Sequence, residues 1–350
     1  MTDNKKMKFA CLTKKGCVEI RERDLPVLGP RDLLIKQDSC NICTTDYTQF
    51  MGLREHQGYP MAGGHEGSGH VVAIGSAVKG FQVGDQVAVM CDSCGYCIDC
   101  KEGHESNCPE GNLFTNFSDD GYMGAFGFAD YMVLSSRRVI KLSKELPARE
   151  AGFLEPLATV VKGLKKLRIK PRETVVVVGC GTMGLLNALT LRAYACSVIM
   201  TEMMKNKIDT ARSLGFDVID INEEDPVEAV KQRTDGKGAD VVVVAVGNSH
   251  ANHQAVSMIK ASDGRISIFA AGYPVPELNI SSNDVHYKRM EIVGTFAADY
   301  VDFIEAEKLL SSGAVNVSKL LEEKTFDLDN AQDAFAYAAE PGKYRVSIML

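Results

Sequence analysis

Residues 174–186 read Thr-Val-Val-Val-Val-Gly-Cys-Gly-Thr-Met-Gly-Leu-Leu, and this stretch decides the fold. Four consecutive valines are typical of a strand that is buried on both faces, as the strands of parallel sheets are. The glycines that follow have the spacing Gly-x-Gly-x-x-Gly, and an apolar run of helical length comes next. Such glycines allow a tight bend, a close approach by a pyrophosphate and close packing of helix on strand. The stretch predicts a dinucleotide-binding βαβ unit, with an ordinary buried βα turn as the alternative.

The next apolar run indicates which dinucleotide is bound. Residues 197–201 have the composition of a strand, and they lead into Glu202, eighteen residues after Gly184. A carboxylate at this place accepts hydrogen bonds from the ribose hydroxyls of the adenosine half and repels a 2′-phosphate. The sequence therefore favours NAD over NADP.

Length, charge and cysteine content limit the possible classes of protein. A chain of 350 residues is long enough for roughly two domains, each with its own core. The net charge of −7 and the lack of a basic run argue against nucleic acid as a partner. No apolar run approaches the roughly 20 residues that span a bilayer, so we expect no membrane partner. Eleven cysteines, an odd number with four in a cluster, favour metal binding in the reducing cytoplasm over disulfides.

The pattern of elements changes near residue 150. Before it, short strands separated by glycine and proline turns are predicted at residues 7–12, 18–23, 32–38, 71–75 and 86–90. After it, stretches of helical length alternate with apolar strands at residues 174–178, 197–201, 218–221, 239–246, 265–270 and 291–294, which predicts a doubly wound parallel sheet. A helix at 300–311, another near 329 and a strand at 344–350 return to the first domain. The prediction is an α/β protein with a β-rich domain (1–155 and 296–350) and a nucleotide domain (156–295).

Four cysteines form the stronger of two metal signals. Cys94, Cys97, Cys100 and Cys108 can surround one tetrahedral ion, and an all-thiolate set without an open position indicates a structural zinc. A redox or iron–sulfur role for the same cysteines is the alternative. Cys91 lies outside the pattern, and we expect it to pack rather than to bind metal.

The second metal signal is dispersed along the chain. Cys43, His65 and Glu155 together offer a thiolate, an imidazole and a carboxylate, which with a water would make a catalytic zinc site. Asp46 is placed to hold the second nitrogen of a zinc-bound His65, and Thr45 to present a hydroxyl near the open position. The alternatives are a buried thiol, a surface histidine and a glutamate that caps a helix.

These motifs occur together in one family. The chain resembles the zinc-containing medium-chain dehydrogenases/reductases of the alcohol dehydrogenase superfamily, and among them the polyol (sorbitol-type) and threonine dehydrogenases. The resemblance extends nearly from end to end, through Cys43-x-Thr-Asp46, Gly64-His65-Glu66-x-x-Gly69-x-Val71, Gly84-Asp85-x-Val87, the four-cysteine lobe, Glu155-Pro156-Leu157, the glycine motif and residues 343–348. It implies a GroES-like β-rich catalytic domain with both zinc ions, a Rossmann domain for NAD, and a cleft between them.

The family's roles can be carried over onto matching positions. The resemblance implies that Cys43 and His65 bind the catalytic zinc, that Asp46 lies behind His65, and that Thr45 relays the proton. It also implies that Thr159 lies beside the nicotinamide and that Lys207 contacts the ribose, although a solvated helix lysine is the alternative. The predicted cofactor residues are Gly179, Gly181, Thr182, Met183, Gly184, Glu202, Lys207, Thr159 and Val246.

The sequence leaves the third ligand of the catalytic zinc open. Sorbitol-type relatives use the glutamate of the Gly-His-Glu motif, here Glu66, whereas other relatives use the position of Glu155. Both stay candidates, and the two could exchange during turnover. Thr48 is a further candidate catalytic residue, because it stands where the family often has a histidine that ends the proton path. Residues 294–299 lack the arginine with which sorbitol-type enzymes grip polyol hydroxyls, which disfavours sorbitol itself.

The sequence as a whole predicts zinc-assisted hydride transfer between a secondary alcohol and NAD. The expected substrates are polyols, sugars or sugar derivatives, with a threonine-type hydroxy-amino acid as the alternative, and Phe114, Phe117 and Tyr122 are candidate pocket residues. We expect two zinc ions per chain, a small-molecule alcohol or ketone as partner, and a homodimer or homotetramer. From other classes, a zinc-free reductase acting on enones and a non-catalytic NAD(H)-binding protein remain alternatives.

Overall fold

A computed structural model of the chain describes residues 6–90, 92–111 and 118–350. Cys91, Phe114 and Phe117 lie outside these residues. The strands are β1 (Lys6–Lys14), β2 (Cys17–Asp24), β3 (Asp32–Ile42), β4 (Glu66–Ile74), β5 (Gln86–Val89), β6 (Tyr131–Ser135), β7 (Val139–Lys141), β8 (Thr174–Val178), β9 (Ser197–Glu202), β10 (Asp217–Asp220), β11 (Val241–Val244), β12 (Arg265–Ile268), β13 (Glu291–Gly294), β14 (Leu321–Asp327) and β15 (Arg345–Met349). The helices are α1 (Thr44–Phe50), α2 (Ile98–Glu102), α3 (Ala148–Ala151), α4 (Leu154–Lys166), α5 (Thr182–Ala193), α6 (Lys205–Ser213), α7 (Pro226–Arg233), α8 (Ser249–Met258), α9 (Ser282–Lys288), α10 (Tyr300–Ser311) and α11 (Ala331–Ala338).

The chain folds into two compact units. Unit 1 comprises Met1–Ala158, Ala298–Gly313 and Leu321–Leu350, and unit 2 comprises Thr159–Ala297 and Ala314–Leu320. None of the helices in the described part of the chain is long and apolar enough to cross a membrane.

Unit 2 is built on a six-stranded parallel sheet with the strand order β10-β9-β8-β11-β12-β13. This order reverses between β8 and β11, as in a Rossmann fold, and ligands bind beyond the carboxyl ends of the strands at such a point. The valines of β8 and β11 are buried on both faces, which is why both strands read as unbroken apolar runs. The α/β fold class is thus confirmed, with the six strands of the sheet where the sequence predicted them.

Unit 1 is mostly β and joins residues from both ends of the chain. A seven-stranded sheet has the order β14-β15-β3-β4-β5-β7, with β6 paired to β3, and β1 and β2 form a separate hairpin. The long central strand β3 pairs antiparallel with β15 on one side and with β4 on the other. The carboxyl end of β3 therefore lies between the first residue of β4, Glu66, and the first residue of β15, Arg345.

Candidate functional site

Cys43 lies between strand β3 and helix α1. It is the N-cap of α1, and its backbone N–H donates to Asp46 Oδ2 over 2.9 Å in a capping box. The second oxygen of the Asp46 carboxylate accepts from the backbone N–H of Gly64 over 3.3 Å. This one buried carboxylate therefore ties the start of α1 to the segment that carries His65.

The backbone before His65 has a conformation that only glycine supplies at low cost. Gly64 has φ +88°, and a Cβ there would lie 2.8 Å from the backbone nitrogen of Phe128. This close packing brings a ligand atom each of Cys43, Asp46 and His65 within 4.8 Å of one another. The sequence-predicted group of these three residues is thus together in space.

The electrostatic field at His65 favours a cation. Burial lowers the pKa of the imidazole, but the charge and hydrogen bond of Cys43 and the nearby carboxylates outweigh this and raise the pKa well above its usual value. A field that favours imidazolium also favours a divalent cation bound to the neutral ring. Thiolate, imidazole and carboxylate are the ligands that zinc prefers, so the donor set fits a zinc ion.

Two glutamates come close to His65. A carboxylate oxygen of Glu66 and one of Glu155 each lie within 4.8 Å of a ring nitrogen of His65 and of each other. Glu66 begins strand β4, and Glu155 lies in the first turn of α4. Both candidates for the third ligand are therefore within reach of an ion that His65 binds.

Arg345 is a residue of this site that the sequence analysis did not identify. Its Nε donates to Glu66 Oε2 over 2.8 Å and its Nη2 to Glu66 Oε1 over 2.7 Å, and Nη2 also lies 3.7 Å from Cys43 Sγ. Burial lowers the pKa of Arg345, but the Glu66 and Cys43 charges outweigh this and hold it above its usual value. The sequence does contain a sign of this role, because Arg345 begins a strand in which Val346 and Ile348 are core residues.

Two threonines of α1, Thr45 and Thr48, differ in their surroundings. Thr48 Oγ1 donates to the backbone oxygen of Thr44 over 2.6 Å, one helical turn earlier. Thr45 is half-buried in the first turn of α1, two residues after Cys43. The hydroxyl of Thr48 is thus used within its own helix.

The four clustered cysteines surround a common point. Their sulfur atoms all lie within 4.8 Å of one another, with 3.9 Å between those of Cys94 and Cys100 and 4.0 Å between those of Cys97 and Cys108. Four sulfurs about 2.3 Å from a tetrahedral zinc would lie about 3.8 Å apart. The backbone N–H groups of Cys94, Cys97 and Cys100 also point to sulfurs of the cluster, over 3.3–3.5 Å. The lobe therefore fits a structural zinc.

The glycine motif lies in unit 2, at the turn from β8 to α5. Gly179 has φ +99°, and a Cβ there would come 2.5 Å from the side chain of Val246. A Cβ on Gly181 would meet only Lys207 Nζ, at 3.6 Å. The turn is therefore open where a pyrophosphate would approach, and a lysine ammonium lies beside it.

Glu202 is held in a fixed orientation next to this turn. Its Oε2 accepts from the backbone N–H of Cys180 over 2.8 Å, and its Oε1 from those of Met203 and Met204 over 2.7 and 3.0 Å. The remaining lone pairs of this carboxylate suit two ribose hydroxyls. Thr182 and Met183 form the first turn of α5, and Thr159 lies in α4.

Comparison with known proteins identifies the family. Residues 29–144 match the model for an alcohol dehydrogenase GroES-like domain, and residues 181–312 match that for a zinc-binding dehydrogenase. The chain is 31% identical to an L-threonine 3-dehydrogenase of Pyrococcus horikoshii over 95% of both chains. The chain belongs to the zinc-type alcohol dehydrogenase family.

Other members of the zinc-type alcohol dehydrogenase family agree with this assignment. The chain is 28% identical to a sorbitol dehydrogenase of Bacillus subtilis over 95% of its own length and 94% of the relative. It also superposes on a zinc-binding dehydrogenase of Sinorhizobium meliloti that was solved with NADP bound. That match has a TM-score of 0.88 and 27% identity, and it covers 99% of this chain and 100% of the other. The chain is therefore a medium-chain, zinc-dependent oxidoreductase of the alcohol dehydrogenase type, with a GroES-like and a Rossmann part.

Proposed function

We propose that this protein transfers a hydride between a secondary alcohol and NAD at a zinc ion held by Cys43, His65 and Glu155. When bound, the zinc would lower the pKa of the substrate hydroxyl and NAD would accept the hydride. The observation that carries the proposal is the group of thiolate and carboxylate donors around the His65 imidazole, each with a ligand atom within 4.8 Å of a ring nitrogen of His65, and the raised pKa of His65 agrees with it.

The ion pair of Glu66 supports Glu155 as the third ligand. Both oxygens of Glu66 accept charge-assisted hydrogen bonds from Arg345, and the two side chains are 0% and 4% exposed. For Glu66 to bind an ion, a buried guanidinium would have to lose its partner, which is costly. Glu155 reaches the same place without breaking this pair.

The neighbouring residues position the ligands and move the proton. Asp46 holds Cys43 and the segment of His65 through two backbone N–H groups, so the distance between thiolate and imidazole is preorganised. Thr45 carries the hydroxyl that takes the proton from the substrate, because the Thr48 hydroxyl is already bonded within α1. From Thr45 the proton leaves through water or the cofactor ribose.

The surroundings of Glu202 support NAD as the cofactor. Three backbone N–H groups hold the carboxylate in place at the carboxyl end of β9, so it cannot swing away from a 2′-phosphate without losing them. A fixed negative charge repels that phosphate, whereas ribose hydroxyls can donate to it. We therefore propose two zinc ions and one NAD per chain.

A substrate screen tests the proposed reaction. Zinc-loaded protein would be offered polyols, sugars, sugar derivatives and hydroxy acids with NAD, and the absorbance of the reduced cofactor recorded. Turnover of a secondary alcohol by the wild type and none by Cys43→Ser is expected. Binding of NAD(H) without turnover of any alcohol would instead support a non-catalytic NAD(H)-binding protein.

The substrate class has two candidates. Similarity to sorbitol dehydrogenases supports a polyol or sugar derivative, and 31% identity to L-threonine 3-dehydrogenases supports a hydroxy-amino acid. Both have a secondary hydroxyl with polar neighbours. L-threonine therefore belongs in the same screen, and the ratio of kcat/KM values decides between them.

Assembly and compartment are further parts of the proposal. Strand β13 is an edge of the parallel sheet, with Ile292 exposed and Tyr287, 75% exposed, in the preceding helix. A sheet edge that pairs with no further strand among the described residues supports pairing with a second copy, and hence a homodimer or homotetramer. Sedimentation of the wild type and of Ile292→Lys tests the assembly: the variant should shift to monomer.

The described cysteines form no disulfides, which supports the cytoplasm as the compartment.

A further inference from the structure

A small cavity lies in unit 1, between the end of β2, residues 124–126 and strand β6. Its volume is about 160 Å³, close to the roughly 150 Å³ of an engineered cavity that holds benzene. None of the residues assigned above to zinc or NAD lines it. Its walls combine apolar side chains with two arginines: Met7, Pro26, Phe126, Met132 and Leu134, with Arg23 and Arg138.

The two guanidinium groups are largely withdrawn from solvent. The side chains of Arg23 and Arg138 are each 17% exposed, and their Nε atoms lie 3.0 Å from Asp120 and 3.2 Å from Asp92. The Arg23 Nε lacks a hydrogen-bond acceptor among the described residues, because its N–H is not aligned with Asp120. An arginine has five donors in one plane, so this ion pair leaves Arg23 with donors for a ligand.

Phe126 holds the Arg23 guanidinium in place. The Arg23 Cζ atom lies 4.5 Å from the centre of the Phe126 ring, in a cation–π contact. Phe126 itself has φ +55°, a left-handed conformation that is strained for a side chain of this size. Its backbone is fixed there by hydrogen bonds to Ala62 and from Gln37. Strained residues of this kind concentrate at ligand clamps.

The charges around the cavity select the type of ligand. Arg23 and Arg138 are balanced by Asp120 and Asp92, so the four groups carry no net charge. Asp120 and Asp92 would repel a dianion such as phosphate about twice as strongly as a monoanion, and a single carboxylate matches the planar fork of a guanidinium. The apolar walls favour a short hydrocarbon chain, and a volume of about 160 Å³ suits a small ligand. We propose that this cavity binds a short-chain monocarboxylate, with its carboxylate on Arg23 and Arg138 and its chain against Met132 and Leu134.

Calorimetric titration of the zinc-loaded protein with sodium butyrate, at constant ionic strength, tests the proposal. We expect saturable binding that is at least tenfold weaker in Arg23→Gln and unchanged in Arg31→Gln, which alters an exposed arginine of the same unit. Arg23→Lys keeps the charge but loses the fork, and it should bind butyrate more weakly than the wild type. Butyramide has the same shape without the charge and should bind at least tenfold more weakly to the wild type.

A carboxylate could also bind at the proposed catalytic zinc, and a further variant separates the two places. Cys43→Ser damages that zinc site but leaves the cavity untouched, so its butyrate affinity should equal that of the wild type. Binding that is lost in Cys43→Ser and kept in Arg23→Gln would overturn the proposal. So would the absence of saturable binding to the wild type, or equal binding of butyrate and butyramide.

Discussion

Both carboxylate oxygens of Glu66 are held by the guanidinium of Arg345, although the two residues lie 279 positions apart in the chain. The pair is buried, with side chains 0% and 4% exposed, and Arg345 Nη2 also lies 3.7 Å from Cys43 Sγ. One guanidinium thus neutralises a carboxylate and lies against a thiolate of the proposed zinc site. Glu66 is thereby committed to an ion pair, which supports the proposal that Glu155 is the carboxylate ligand of the ion.

The first prediction distinguishes the two glutamates. Glu155→Gln should lose zinc and activity together, because it removes a ligand. Glu66→Gln should keep the zinc but lose stability, since a buried Arg345 without its partner typically costs about 3–5 kcal/mol. Zinc content by atomic emission, kcat and unfolding by urea measure the three effects. Glu145→Gln, an exposed carboxylate of the same unit, is the control. The reverse pattern would make Glu66 the resident ligand.

The second prediction compares two hydroxyls of one helix. Thr45→Val should lower kcat by roughly 10²–10⁴, the range expected when a general acid–base path is removed. Thr45→Ser should restore most of the activity. Thr48→Val removes a hydroxyl that donates to the Thr44 backbone oxygen, so its kcat should stay within about threefold of the wild type. An equal loss in Thr45→Val and Thr48→Val would contradict the assignment of Thr45 as the relay.

The third prediction concerns the four-cysteine lobe. Cys100→Ser should release one of two zinc ions and lower the melting temperature, because a closed zinc site contributes folding free energy. A loss of about 2 kcal/mol would lower Tm by roughly 4–8 °C in a domain of this size. Cys17→Ser, outside both clusters, is the control. If Cys100→Ser keeps the zinc content and the Tm of the wild type, the lobe does not bind zinc.

The fourth prediction concerns the choice of cofactor. The wild type should use NAD with a clearly higher kcat/KM than NADP. Glu202→Ala should lower the ratio of kcat/KM with NAD to kcat/KM with NADP for two reasons. The ribose of NAD loses its acceptor, and the N–H groups of Cys180, Met203 and Met204 become free to bind a 2′-phosphate. Glu223→Ala, an exposed glutamate of the same unit, should leave the ratio unchanged. Equal use of both cofactors by the wild type would refute the role of Glu202.

Much of the fold could be predicted because it depends on local signals. Buried parallel strands such as β8 and β11 need apolar residues throughout, and the turn before α5 needs glycine, so both are visible in the sequence. The four cysteines were predicted as a group for a related reason: they lie within fifteen residues, and a lobe that short brings them together. Strand β14 was missed because it has few apolar residues. Three consecutive residues of its seven, Glu323–Thr325, are exposed.

The site depends on pairings that no local pattern contains. Cys43, Asp46, His65 and Glu155 were predicted from motif residues, but nothing near Glu66 indicates that its partner lies in the last strand. Only the pairing of β3 with both β4 and β15 brings Arg345 and Glu66 together, and a strand order cannot be read from spacing. For the same reason the sequence left the third ligand open, whereas the ion pair in the structure favours Glu155.

The order of residues in unit 1 also has a consequence during synthesis. Residues 159–297 of unit 2 are contiguous, so they can fold as a domain while the chain is still being made, whereas β3 can pair with β4 early but must wait for β15 on its other side. At roughly 5–20 residues per second, the 279 residues between Glu66 and Arg345 take about 14–56 seconds to translate. Throughout that interval the nascent chain carries Cys43 and Glu66 without the guanidinium that lies against both in the folded protein. The last strand to be made thus removes Glu66 from the carboxylates that are open to a cation, and it does so only when the chain is nearly complete.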